Sequence, residues 1–119
     1  KLQTVSLNTS KTTNIASMFY NCKALETVSL FDTSNLFIPV NAFYNCTSLT
    51  NLDGFTGLKK SLYLAYCPLT TDSVMNIINN SADMTSDPKT LTLSQDTFNR
   101  LSSEQIAIAS AKGWNIASR

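Results

Sequence analysis

Cys22, Cys46 and Cys67 stand 24 and 21 residues apart, and a thiol can act as a nucleophile, a metal ligand or half of a disulfide. Each role needs company. A nucleophilic Cys needs a neighbouring base, usually His, and the chain has no His. Zinc ligands normally come as close C-x-x-C pairs, which the sequence lacks. Three thiols allow at most one bridge and leave one over. The spacing fits better with a ladder of small buried side chains at matching points of successive chain turns, since Cys is among the most buried residue types.

Carboxylates offer no more chemistry. The eight Asp and Glu are scattered, and no two have a spacing that forces them together for acid and base work. Asp32, Asp53 and Asp72 could be assembled only by the fold, and turn or cap roles account for each. Gly54, Gly57 and Gly113 are the only glycines, too few for a phosphate-cradling loop. The expectation is a protein without catalytic, metal or cofactor sites.

What remains are side chains suited to binding. Phe19 and Phe43 recur in phase with the cysteines and are expected in the core. Their neighbours Tyr20 and Tyr44 point elsewhere. With Tyr63 and Tyr66 they form either an exposed aromatic row suited to proteins or sugars, or half-buried rings that close the surface. A second candidate face is polar. Thr4/Ser6, Thr27/Ser29, Asn51/Asp53 and Ser61/Tyr63 occupy the outward positions of successive short strands, so the sequence places them as stacked rows on one sheet, either as an ordinary open face or as a ligand face.

The elements that hold these residues follow from a self-repeat. Met18-Phe19-Tyr20-Asn21-Cys22-Lys23-Ala24-Leu25 returns as Ala42-Phe43-Tyr44-Asn45-Cys46-Thr47-Ser48-Leu49, twenty-four residues later. A repeat of that length predicts a solenoid. Apolar alternation at Leu2-x-x-Val5-x-Leu7, Leu25-x-x-Val28-x-Leu30 and Leu49-x-x-Leu52 marks three strands, with Val5, Leu7, Val28 and Leu30 facing inward. Residues 14–20 and 39–44 are predicted as helical turns or short helices, each followed by a turn at Asn-Cys. Leu62-Tyr63-Leu64 is a further strand only ten residues after Leu52, which leaves its register open.

From Pro68 the pattern changes to longer helices and strands. Thr71 is expected as N-cap of a helix to about Asn80 that buries Val74, Ile77 and Ile78. Residues 81–89 read as a polar loop and Thr90–Leu93 as a strand. Ser102-x-x-Gln105 is a capping box that opens a helix through Ile106, Ala109 and a basic last turn at Lys112, with Gly113 at C′. Trp114–Ala117 is a final strand. Residues 1–69 are thus expected as repeat coils and 70–119 as capping repeats of the same solenoid.

Composition narrows the partners. Charged residues are 14% of the chain, against about 25% in a typical domain, while Ser, Thr and Asn supply 42 of 119 residues. The exposed surface must therefore be rich in hydroxyls and amides. Net charge is +1 with the basic residues dispersed, which argues against nucleic acid. Lys59-Lys60, the only adjacent basic pair in the sequence, reads as a solvated loop. No apolar run approaches the ~18 residues needed to span a bilayer.

The string F-Y-N-C-x-x-L-x-x-V-x-L followed by Phe31-Asp32-Thr33-Ser34-Asn35 resembles the repeat of BspA-like bacterial leucine-rich-repeat surface proteins. Asn8-Thr9-Ser10-Lys11 leading to Met18-Phe19-Tyr20-Asn21-Cys22 is the same arrangement one repeat earlier. The tail, from Cys67-Pro68-Leu69-Thr70 through Thr90-Leu91-Thr92-Leu93 to Lys112-Gly113-Trp114, is similar to the C-terminal ends of such proteins from gut bacteria and their phages. Pro39, Val40 and the short interval from Leu52 to Leu62 depart from the pattern. The resemblance implies an α/β leucine-rich-repeat solenoid with short parallel strands, exposed at a cell surface or on a virion. It also implies adhesion to, or recognition of, a cell-surface protein or glycan. The alternative is a structural or receptor-binding segment of a phage tail fibre or surface stalk. Because the sequence opens at Lys1, already inside a repeat strand, it is expected to be a processed product or part of a longer protein, of unknown oligomeric state.

Overall fold

A computed structural model describes residues 3–30, 32–37 and 39–119. Leu2 of the first apolar alternation and Phe31 of the F-D-T-S-N string lie outside them. The strands β1 (Thr4–Ser6), β2 (Thr27–Ser29) and β3 (Asn51–Asp53) form one parallel sheet in that order. The register aligns Thr4, Thr27 and Asn51 in one row, Val5, Val28 and Leu52 in the next, and Ser6, Ser29 and Asp53 in a third. Side chains alternate across a strand, so the middle row turns inward and the outer rows face away from the core. Val28 and Leu52 are buried. Leu7 departs from the expected pattern: it is 36% exposed, next to β1, which among the described residues has a strand neighbour on one side, at β2.

Of the two forms expected between the strands of this sheet, helical turns or short helices, the structure has single turns and, among the described residues, no helix. In residues 15–25 the N–H groups of Met18, Tyr20, Cys22 and Leu25 close turns onto Ile15, Ser17, Phe19 and Cys22. The alternate N–H groups of Ser17, Phe19 and Asn21 instead bond sideways to Val40, Ala42 and Tyr44 at 2.9–3.0 Å. A helix would need all of these donors along its own axis. Positive φ at Ser17, Asn21, Asn41 and Asn45 (54–62°) reverses the chain within each pair of turns, and Asn tolerates that conformation better than most residues.

The Asn/Asp-Thr-Ser string has a mechanical role at each position. Asn8 Oδ1 and Asp32 Oδ1 each accept from the backbone N–H and hydroxyl two residues on, at Ser10 and Ser34. These are Asx turns. The threonines between them, Thr9 and Thr33, are buried and donate to the carbonyls of Asp32 and Thr56 in the next repeat. Gly54 continues this corner with φ +83°, and a Cβ there would lie 1.5 Å from the Leu30 carbonyl oxygen. Only glycine fits.

β4 (Leu62–Leu64) does not join the first sheet. It opens a second parallel sheet with β5 (Lys89–Leu93) and β6 (Trp114–Ser118), in which Leu62 aligns with Leu91 and Leu91 with Ile116. The position beside β3 is taken by helix α1 (Thr71–Asn80). Its N-cap is Thr70, one residue before the expected Thr71, and Thr70 Oγ1 accepts from Ser73 N–H.

Two further helices cover β6: α2 (Gln95–Asn99), which the apolar spacing did not reveal, and α3 (Ser103–Ala111). Thr97 of α2 is fully buried, and its hydroxyl donates to the Leu69 carbonyl. α3 carries the expected Ser102/Gln105 capping box, and Gly113 follows with φ +83°. Lys112 is the C-cap of α3 and not part of its last turn. Its ammonium bonds the Ile78 and Asn79 carbonyls, both at 2.9 Å, and so serves the negative end of α1. A single buried cluster runs from Ile15 to Trp114, whose indole N–H donates to Ala82.

Candidate binding surface

The first sheet leaves its outward rows uncovered. Thr4, Ser6 and Asn51 are exposed, and Thr27, Ser29 and Asp53 are half-buried. Strands in a parallel sheet lie ~4.8 Å apart, so the six side chains form a compact patch of hydroxyls, one amide and one carboxylate. Asp53 Oδ2 accepts from the Ser29 hydroxyl at 3.4 Å, while Oδ1 is buried without a hydrogen-bond partner. Asp53 also borders a depression of about 210 Å³ against Asp72 and Asn76 of α1.

Ser61 and Tyr63 do not extend these rows. The reason is the edge of β3: the Ser73 hydroxyl of α1 accepts from Leu52 N–H at 2.8 Å and donates to Leu52 C=O at 3.1 Å. No edge group of the middle residue is left for a fourth strand. Ser61 instead precedes β4 and Tyr63 is its middle residue in the second sheet, where Tyr63 aligns with Thr92 and the Ser61 hydroxyl accepts from Thr90 N–H at 2.9 Å. The expected eight-residue face is therefore two faces.

The tyrosines do form a row. Tyr20 and Tyr44 stack with centroids 5.0 Å apart and planes 8° from parallel. Tyr66 continues the row at 4.7 Å from Tyr44, and Tyr63 lies 6.1 Å beyond Tyr66. Tyr20, Tyr63 and Tyr66 are exposed and Tyr44 is half-buried, so both readings of these rings hold, at different positions. A hydrogen bond with Tyr44 pushes the Tyr66 hydroxyl pKa above its ordinary value. Beside this row, the side chains of Asn21 and Asn45 are joined at 2.8 Å.

The cysteines are all free thiols. Cys46 and Cys67 are fully buried, Cys22 half so. Cys46 Sγ donates to the Phe19 carbonyl at 3.0 Å, and Cys67 Sγ to that of Phe43 at 3.6 Å. Burial pushes the Cys46 pKa up to about 11 and raises that of Cys67 as well. Both thiols stay protonated at neutral pH, which makes them poor nucleophiles and poor ligands. Asp32 is held below the usual carboxylate range by donation from the Ser34 hydroxyl and N–H, as its turn role requires.

One grouping lay beyond reach of the sequence. Lys89, 29 residues after Lys60, lines the same depressions as Lys60. Only the pairing of β4 with β5 brings them together, so no motif spacing announces it. Among the described residues no helix is long and apolar enough to cross a membrane. Compared with known proteins, the chain matches no family model, no curated protein and no solved structure.

Proposed function

We propose that this chain is a segment of a leucine-rich-repeat solenoid of the BspA-like kind, and that it works as a non-enzymatic recognition module at a cell surface, binding a protein or glycan. The observation that carries the reading is the in-register pair of uncovered rows, Thr4/Thr27/Asn51 and Ser6/Ser29/Asp53, on the first sheet. Supporting it are the sideways hydrogen bonds that recur at intervals of 23 residues, the geometry that stacked repeats need. Such a scaffold holds polar side chains on rigid strands at little entropic cost to binding. The tyrosine row adds amphipathic area of the sort that interfaces favour.

The test is binding of the labelled chain to intact bacterial and host cells by flow cytometry. A Thr27→Ala/Ser29→Ala/Asn51→Ala variant is expected to lose the signal, while Ile108→Ser, on exposed α3, keeps it. Equal binding by both variants, each with an unchanged melting curve, would remove the sheet face from the recognition surface. The cell type bound separates an adhesin for host tissue from a binder of bacterial surfaces.

A further inference from the structure

A depression of about 480 Å³ lies where β4 and β5 meet the turn at residues 39–41, and one of about 400 Å³ is bordered by residues 34–37 and Met84; the two share Lys60 and Lys89. Each falls within the range of roughly 300–1,000 Å³ usual for ligand sites. The larger is bordered by hydroxyl and amide groups of Asn41, Ser61, Thr90 and Thr92, beside the exposed ring of Tyr63. Lys59 joins the smaller one. Three lysines therefore line the smaller depression in a chain whose net charge is +1. Asp87 lines the smaller depression, and Asp32 lies within electrostatic reach of Lys59.

From this arrangement we infer a second binding site, for a carboxylated carbohydrate such as a chain of uronic acid residues. Lys89 already binds a carboxylate: its Nζ lies 3.1 Å from Asp87 Oδ2, with the Lys side chain 22% exposed and that of Asp87 74% exposed. The acid sits on the solvent side of the base, where an incoming carboxylate can replace it. Lys60 is held 4.7 Å from the centre of the Phe37 ring, which orients its charge without neutralising it. The neutral hydroxyls and amide match sugar hydroxyls, and Tyr63 offers its ring to the apolar face of a sugar. β5 is paired on both sides, so a peptide strand could add here only along β4, the edge strand of this sheet, and it would then leave the two lysines unmatched unless it carried carboxylates of its own. This site is independent of the first sheet, so its failure and that of the sheet-face reading can be told apart.

The probe is a size-defined oligogalacturonate, titrated by calorimetry and by amide chemical shifts. Binding is expected with shifts at Ser61, Tyr63, Thr90 and Thr92, and it should weaken as salt rises from ~50 to ~500 mM. The methyl-esterified, uncharged oligomer should not bind. Lys60→Gln/Lys89→Gln should reduce affinity about tenfold. Asp87→Asn, a change at an exposed residue, should raise affinity severalfold by freeing Lys89. The Thr27/Ser29/Asn51 variant should bind as the parent does. No binding at millimolar oligomer would overturn the inference. So would equal binding of the ester, indifference to both the lysine and Asp87 changes, or tighter binding of a Glu-rich peptide or a sulfated oligosaccharide of matched charge.

Discussion

The hydroxyl of Ser73 closes the edge of β3 by bonding both backbone groups of Leu52, accepting at 2.8 Å and donating at 3.1 Å. One side chain on a helix thus does what a whole neighbouring strand does for β1 and β2. It ends the first sheet and with it the polar face that the sheet presents.

Replacing Ser73 with Ala should leave the Leu52 N–H and C=O unpaired in a buried place. Unsatisfied buried groups cost about 1–3 kcal/mol each, and water reaching in through the depression beside Asp53 would relieve part of this. A loss of about 2 kcal/mol is expected, read from urea unfolding at constant m-value. A loss within 0.5 kcal/mol, on the order of an ordinary surface change, would mean that the edge is satisfied in another way.

Asn45 separates backbone from side-chain effects. It combines φ of 61° with a 2.8 Å bond from its Nδ2 to Asn21 Oδ1. Asn45→Ala loses both and should cost roughly 2–3 kcal/mol, about 1–2 for the left-handed backbone and about 1 for the bond. Asn45→Gly loses only the side-chain bond and should cost about half as much. Equal losses in the two variants would assign the effect to the asparagine pair alone.

Cysteine chemistry should follow burial. Iodoacetamide at neutral pH is expected to label Cys22 and to spare Cys46 and Cys67 until the chain is unfolded, as read by mass spectrometry. The pH dependence has a defined sign. The folded pKa of Cys46 is raised from 9.0 to about 11, so the protonated thiol stabilises the fold fully below pH 9. That contribution is lost as pH climbs from 9 towards 11. The stability advantage over Cys46→Ala should shrink across this window, and a constant difference would argue against a buried, hydrogen-bonded thiol.

Local order was legible from residue order alone. The three short strands, the apolar stripe of α1, the capping box at Ser102 and the role of Gly113 are set by neighbours within a few positions, where side-chain alternation and cap chemistry operate. The recurrence of Phe19 and Phe43, 24 residues apart, likewise places both rings in the core, because a repeat tends to bury like positions; Cys46 and Cys67, 21 residues apart, are buried too, whereas Cys22 is only half-buried. What escaped is the link between the turns: the alternate N–H groups of Ser17, Phe19 and Asn21 bond to the carbonyls of Val40, Ala42 and Tyr44 in the following repeat, a contact that no neighbour in sequence reveals.

Which strand pairs with which was decided only by the tertiary structure. Ser61 and Tyr63 carry the same alternation as Asn51 and Asp53, and nothing within either segment reveals that α1 takes the place beside β3. The gathering of Lys59, Lys60 and Lys89 has the same origin. Strand pairing is a long-range event, settled by competition among backbone edges after the local elements exist. The sequence by itself therefore determined the type and inward side of most segments, α2 and the edge position Leu7 excepted. The fold alone determined which outward side chains share a surface.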